Sequence, residues 1–155
     1  MLDSAGHAAR IVNAGLSGET SAGALRRIDW VLKTPADVII VETGANDGLR
    51  GLDLAALKRN IENILDRIRA LQPNAHIMLA QMEAPPNLGA RYTAEFHDLF
   101  PAVAKEKRVE LMPFLLDGVA GDEALNQDDG IHPNVRGARI VAANVTRALL
   151  RRNLP

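Results

Sequence analysis

The sequence predicts an α/β fold in which helices cover both faces of a parallel sheet, and three observations predict it. Short apolar runs rich in β-branched residues alternate with longer segments whose apolar residues recur every three to four positions. The short runs are almost continuously apolar, as in strands buried on both faces. Loops containing glycine and polar residues follow them. Alternating strands and helices of this kind give a three-layered arrangement with a parallel sheet.

The elements follow one another in a regular order. Strands are predicted at 10–14, 38–43, 76–81 and 109–112, and helices at 21–33, 53–71, 92–106 and 134–152. The second helix is the clearest, because its apolar residues keep helical spacing and Asp53 is a good N-cap. Pro101 predicts a kink or break in the third helix, since proline lacks the N–H that a helix interior needs.

Composition limits the classes of function. The 155 residues are 47% hydrophobic, which predicts one globular domain spanning 1–155. The net charge is −1 without a basic cluster, so a nucleic-acid partner is not expected. The absence of cysteine excludes disulfides, thiol catalysis and cysteine-ligated metals. No apolar run approaches membrane-spanning length. No set of His, Asp or Glu has metal-ligand spacing, so we expect neither a metal nor a cofactor.

A carboxylate and a histidine stand three positions apart in the segment 127–134, on a glycine-containing turn that leads into the last helix. On such a turn, Asp129 can hold one imidazole nitrogen of His132 while the other nitrogen faces a cleft. This is how a base and its orienting carboxylate are arranged in a hydrolytic triad. An ordinary helix cap is an alternative interpretation of the same residues.

Two further loops carry candidate hydrogen-bond donors. Asn46 follows the strand at 38–43 through a glycine, at the sheet edge where parallel α/β folds bind ligands. Its amide could donate to a developing oxyanion, although a simple turn is the alternative. Gly18, in a loop that opens the first helix, could present a backbone N–H to the same cleft. Small residues before a helix are also common caps, so this motif is weak by itself.

Together these three segments resemble blocks of the SGNH (GDSL-type) hydrolases, a family with a flavodoxin-like fold. Residues 13–21 resemble the second block, in which Gly18 takes the place of the oxyanion-hole glycine. Asn46 takes the place of the asparagine of the third block. Asp129 and His132 match the Asp-x-x-His of the fifth block, which implies that Asp129 orients His132 as general base. The surrounding residues resemble most closely the bacterial thioesterase, arylesterase and lysophospholipase branch.

The chain departs from the family at its start. The first block of the family is a strand ending in Gly-Asp-Ser-Leu, whose serine is the nucleophile, and it lies well upstream of residues equivalent to Asn13. We therefore expect an N-terminally truncated domain without the first strand and the nucleophile. Ser4 and Ser17 are weak alternative nucleophiles. Without a first strand, 11–14 must pair directly with 38–43, or something else must fill the gap. We expect the chain to close the sheet anew, to form a homodimer through the exposed edge, or to be unstable.

The resemblance implies a serine esterase or thioesterase that acts on small-molecule esters through an acyl-enzyme. The implied substrates are aryl esters, acyl thioesters and lysophospholipids, and no cofactor is implied. Two alternatives stay open, namely a non-catalytic or truncated ligand-binding relative and a carbohydrate-ester deacetylase. The family suggests a periplasmic or secreted location, but no signal peptide is recognisable in the sequence.

The remaining polar residues carry weaker predictions. Three histidines without a partner at ligand spacing are expected to be surface or structural residues: His7, His76 and His97. Glu83 and Asn87 follow the strand at 76–81 and are weak candidates for lining a substrate cleft. Asp47 and Arg50 are expected to pair with each other and so hold the loop of Asn46.

Overall fold

The computed structural model describes Leu2, Gly6 and residues 8–151. Two compact units are present: a sheet unit, Ala14–Met112, and an α5 unit, Met1–Asn13 with Pro113–Pro155. The elements are α1 (Ser21–Val31), β1 (Val38–Val41), α2 (Ala45–Leu49), α3 (Leu54–Leu71), β2 (His76–Ala80), α4 (Ala90–Lys107), β3 (Glu110–Met112) and α5 (Val135–Leu150), with a 3-10 turn at Pro86–Leu88 before α4. No helix in the described part of the chain is long and apolar enough to cross a membrane.

The described strands form a sheet in the order β1-β2-β3, and both pairs are parallel. Val41 pairs with Leu79 in the first ladder, and Leu79 pairs with Leu111 in the second. The central strand β2 is buried from its second residue onward, as its continuous apolar sequence predicts. The predicted α/β class with a parallel sheet is therefore confirmed.

The core of the sheet unit is built mainly by α3 and α4. The predicted cap of α3 is confirmed, because the side chain of Asp53 accepts hydrogen bonds from two amides of the first turn. The apolar face of α3 is fully or almost fully buried: Leu57, Ile61, Ile64, Leu65 and Ile68. On α4, Phe96 and Phe100 are both fully buried, with ring centroids 5.3 Å apart. Helix α3 packs against α1 and α4, and α4 contacts β2 and β3.

Of the predicted kink or break at Pro101, the break is wrong, because α4 continues through it to Lys107. Proline removes the N–H that would normally bind the carbonyl of His97 four residues earlier. The side-chain amide of Gln81 donates to that carbonyl instead, at 3.1 Å. Gln81 is buried just beyond the end of β2, so the sheet supplies the donor that the helix lacks.

The predicted strand at 10–14 is also wrong, since the chain has no regular secondary structure there. Ile11 and Val12 are 78% and 56% exposed, so their apolar side chains do not contribute to a core. A strand needs a neighbour for its backbone groups, and the described sheet contains only β1, β2 and β3. In that sheet β1 pairs with β2 alone, and a homodimer through this edge stays a prediction.

Candidate active site

The α5 unit contains the carboxylate–histidine dyad that the sequence predicts. Oδ2 of Asp129 lies 2.6 Å from Nδ1 of His132. Oδ1 of Asp129 accepts the backbone N–H groups of Ile131 and His132, both at 2.9 Å. Gly130 has a φ of +68°, and this left-handed conformation lets the turn close. The carboxylate is thus locked by its own turn and orients the imidazole.

These hydrogen bonds determine the protonation of the dyad. They lower the pKa of Asp129 to about 2, mainly through the backbone N–H of His132 and then through its side chain. The carboxylate is therefore ionised near neutral pH, so it can only accept a hydrogen bond, and Nδ1 of His132 donates its N–H to it. In the neutral ring, Nε2 then carries the lone pair. With its side chain 62% exposed, His132 can offer Nε2 as a base.

The loop that carries the dyad is closed at its base by backbone bonds. Asn126 and Pro133 form an antiparallel bridge, and the N–H of Gln127 donates to the carbonyl of His132 at 2.8 Å. Asn134 is the N-cap of α5, because its side chain accepts two amides of the first helical turn. The alternative that Asp129 is merely the helix cap is therefore wrong.

The first turn of α5 fits closely against the base of this loop at Gly137, which is buried. A Cβ on Gly137 would lie 2.2 Å from the carbonyl oxygen of Leu125, a backbone atom that cannot move away alone. We expect Gly137→Ala to lower the free energy of unfolding by about 1–3 kcal/mol, because it overpacks this contact. Urea unfolding followed by circular dichroism measures the change.

Gly23→Ala in α1 is the matched control. There the three atoms nearest to the new Cβ all belong to the side chain of Glu19, the closest at 2.8 Å, so a side chain that pairs with Arg27 and not the backbone must shift. Alanine also favours a helix over glycine by about 1 kcal/mol. We expect this variant to lose less stability than Gly137→Ala. Equal losses in both variants would contradict the packing argument for Gly137.

The sheet unit carries the two predicted hydrogen-bond donors. Asn46 lies in the first turn of α2, directly beyond the carboxyl end of β1. Gly44, at φ +101°, makes the turn between them, and a Cβ there would lie 3.2 Å from both Leu57 and Phe100. The side-chain amide of Asn46 is half-buried and has no hydrogen-bond partner among the described residues. It is therefore available to a ligand at this edge of the sheet.

Gly18 lies in the exposed turn that precedes α1 and has a φ of +75°. The next residue, Glu19, donates its N–H to the carbonyl of Leu16 at 3.2 Å, which closes the turn. The carbonyl of Gly18 accepts a hydrogen bond from Nη2 of Arg50 at 3.0 Å. The chain thus holds Gly18 in a conformation that residues with a Cβ rarely adopt.

The loops of Gly18 and Asn46 are tied together by a buried network. Asp47 accepts the backbone N–H of Ser21 at 2.8 Å and its hydroxyl at 2.6 Å. The side-chain amide of Asn60 donates to the same hydroxyl at 2.9 Å. The predicted pair of Asp47 with Arg50 is wrong, because each of them binds the loop that contains Gly18 and Ser21. A buried carboxylate is costly unless hydrogen-bonded, and the N-terminus of α1 provides the donors.

His76 and His97, which were expected to be surface or structural residues, each lie against a carboxylate. Nε2 of His76 lies 3.0 Å from Glu110, and Nδ1 of His97 lies 2.7 Å from Glu83. The second pair was not predictable from the sequence, because its members are 14 residues apart and join a loop to a helix. Asn87 is exposed in the 3-10 turn.

Other candidates gain no support from the structure. Ser4 and His7 lie outside the described residues, and Ser17 is exposed in the turn of Gly18. The hydroxyl of Ser21 is bound to Asp47. Among the residues that the structure describes, no group of three His, Asp or Glu side chains could hold a metal ion.

A carboxylate that orients an exposed histidine is the base half of the triad that many hydrolytic enzymes use. The model of the GDSL-like Lipase/Acylhydrolase family matches residues 1–140, and the chain belongs to this family. The predicted family and the predicted class of carboxylic ester hydrolase are therefore confirmed. Together with the names of the individual relatives, this result favours an esterase or thioesterase over a non-catalytic or truncated ligand-binding relative and over a carbohydrate-ester deacetylase.

Individual relatives agree with the family. The chain is 39% identical to Esterase TesA of Pseudomonas aeruginosa over 142 residues, which are 90% of this chain and 69% of that protein. It is 34% identical to Arylesterase of Vibrio mimicus over 143 residues, 91% of this chain and 70% of that protein. A crystal structure of the psychrotrophic esterase EstA from Pseudoalteromonas sp. superposes with a TM-score of 0.90 at 32% identity, covering 97% of this chain and 81% of that one.

Proposed function

We propose that this protein hydrolyses carboxylic esters and thioesters through an acyl-enzyme, with aryl esters, acyl thioesters and lysophospholipids as its substrates. The observation that carries the proposal is the dyad of Asp129 and His132, whose atoms lie 2.6 Å apart with the carboxylate ionised. Its relatives support the proposal, since two of them are named as an esterase and an arylesterase. Neither a metal nor a cofactor is needed for this chemistry.

The proposed roles follow the blocks of the family. The nucleophile is the serine of the family's first block, to which no described residue of this chain is assigned. Its hydroxyl attacks the substrate carbonyl while Nε2 of His132 takes its proton, and Asp129 stabilises the imidazolium that results. The N–H of Gly18 and the side-chain amide of Asn46 donate to the oxyanion. The imidazolium then protonates the leaving alcohol or thiol. Water attacks the acyl-enzyme in the same manner, which releases the carboxylic acid and restores the serine.

Replacing Asn46 tests this proposal. Asn46→Ala is expected to lower kcat for a short-chain p-nitrophenyl ester by about 10²–10³-fold, because one preorganised donor to the oxyanion is lost. KM should change little, since the donor acts mainly in the transition state. Steady-state release of p-nitrophenol measures both constants.

Asn74→Ala is the matched control, because Asn74 is exposed in the turn between α3 and β2. It should hydrolyse the ester as the wild type does. A wild-type protein that carries the first-block serine but hydrolyses no aryl ester, acyl thioester or lysophospholipid would overturn the proposed function. Equal activity of Asn46→Ala and the wild type would overturn only the role of Asn46.

A further inference from the structure

Arg50 connects the two loops that carry the proposed oxyanion donors. Its backbone N–H donates to the carbonyl of Asn46 at 3.3 Å, at the end of α2. Its guanidinium reaches the other loop, where Nη2 donates to the carbonyl of Gly18 at 3.0 Å. One residue therefore holds the backbone of both donor residues. Its side chain forms no ion pair with any described residue, so this hydrogen bond is its main polar contact.

The hydrogen bond from Arg50 restrains Gly18, a residue whose backbone is intrinsically flexible. Gly18 is exposed and lacks a Cβ, so its peptide groups can rotate more freely than those of other residues. The peptide group between Gly18 and Glu19 is held by two hydrogen bonds. The Gly18 carbonyl accepts from Arg50, and the Glu19 N–H donates to the carbonyl of Leu16. Without Arg50 one of these two restraints disappears, and the conformation of Gly18 becomes less defined.

The hydrogen bond of Arg50 to Gly18 can be removed without disturbing the packing of the fold. The buried network of Asp47, Ser21 and Asn60 already joins the same two loops. Arg50 itself is exposed, so removing its side chain leaves no cavity and no buried charge. Its loss should therefore alter the geometry of Gly18 while the network continues to hold α1 and α2 together.

We propose that Arg50 is a positioning residue, which fixes the Gly18 N–H so that it and the Asn46 amide donate to the same oxyanion. This inference rests on the proposed function and deepens it. Because the donors must be aligned in the transition state, replacing Arg50 should lower kcat more than it raises KM.

The test compares Arg50→Ala and Arg50→Lys with the control Arg59→Ala. Arg59 is also exposed, and among the described charged side chains it approaches only Asp53, at 3.9 Å. On a short-chain p-nitrophenyl ester we expect Arg50→Ala to lower kcat about tenfold, with KM within about twofold of the wild type. Arg50→Lys keeps a donor on a flexible chain and should restore most of kcat. The melting temperatures should agree among all these proteins.

A second measurement does not depend on catalysis. The ¹⁵N order parameter of the Gly18 amide should fall from the rigid range near about 0.85 toward about 0.6 in Arg50→Ala, while amides in α3 are unchanged. An unchanged order parameter, or a loss that appears in KM alone, would overturn the role of Arg50. If the wild type hydrolyses no ester, the proposed function fails, and the Gly18 amide still shows whether Arg50 orders this loop.

Discussion

His132→Ala is expected to lower kcat for a short-chain aryl ester by a factor of about 10⁴ or more. The imidazole is the proposed base for the attacking serine and the acid for the leaving group, so its loss affects both chemical steps. His132 is exposed, and its removal should leave the fold intact. Steady-state hydrolysis and circular dichroism of the same samples measure activity and folding.

The chain supplies its own control for this experiment. His97 also pairs with a carboxylate, at 2.7 Å from Glu83, and its side chain is similarly exposed. The backbone carbonyl of His97, which binds Gln81, is unchanged by a side-chain substitution. We expect His97→Ala to retain nearly full activity. A large loss in His97→Ala with little loss in His132→Ala would show that the second pair is the catalytic one.

Asp129→Asn is expected to lower kcat by about 10³–10⁴-fold. The amide can present an N–H to Nδ1 of His132, which favours the tautomer whose Nε2 carries the proton and cannot act as a base. Asp128→Asn is the matched control, since the neighbouring carboxylate is exposed and outside the dyad. Comparable losses in both variants would point to local charge and not to the dyad.

The pH dependence of stability should also distinguish Asp129→Asn from the wild type. The pKa of Asp129 is lowered from 3.8 to about 2 in the folded protein, so the carboxylate stabilises the fold above pH 3.8. This stabilisation is lost as the pH falls from 3.8 toward 2. We expect Asp129→Asn to be less stable than the wild type at pH 6 and equally stable at pH 2. Urea unfolding at both pH values measures the difference, and a constant gap would contradict this linkage.

The sequence was most informative where interacting groups are close along the chain. Asp129 and His132 are three residues apart, so one turn determines their geometry, and the dyad was predicted correctly. The cap of α3 by Asp53 was predictable for the same reason. The parallel sheet followed from apolar runs that alternate with helical patterns, a signal that needs no knowledge of individual contacts.

The failed predictions involve partners that are distant along the chain. Asp47 is 26 residues from Ser21, and Arg50 is 32 residues from Gly18, so proximity along the chain suggested the wrong pair. His97 and Glu83 come together only when α4 folds against the loop after β2. The strand at 10–14 was predicted from its residues alone, although a strand also requires a neighbour to bind.

The hydrogen bond from Gln81 to His97 also bears on the order of folding. A helix that contains Pro101 cannot satisfy its own backbone, so the continuity of α4 depends on a side chain at the end of β2. That contact spans 16 residues and costs loop-closure entropy before it forms. The second half of α4 should therefore gain its full stability only in or after the step that joins it to the sheet. We therefore expect α4 to become a continuous helix when the tertiary contacts form, and not before.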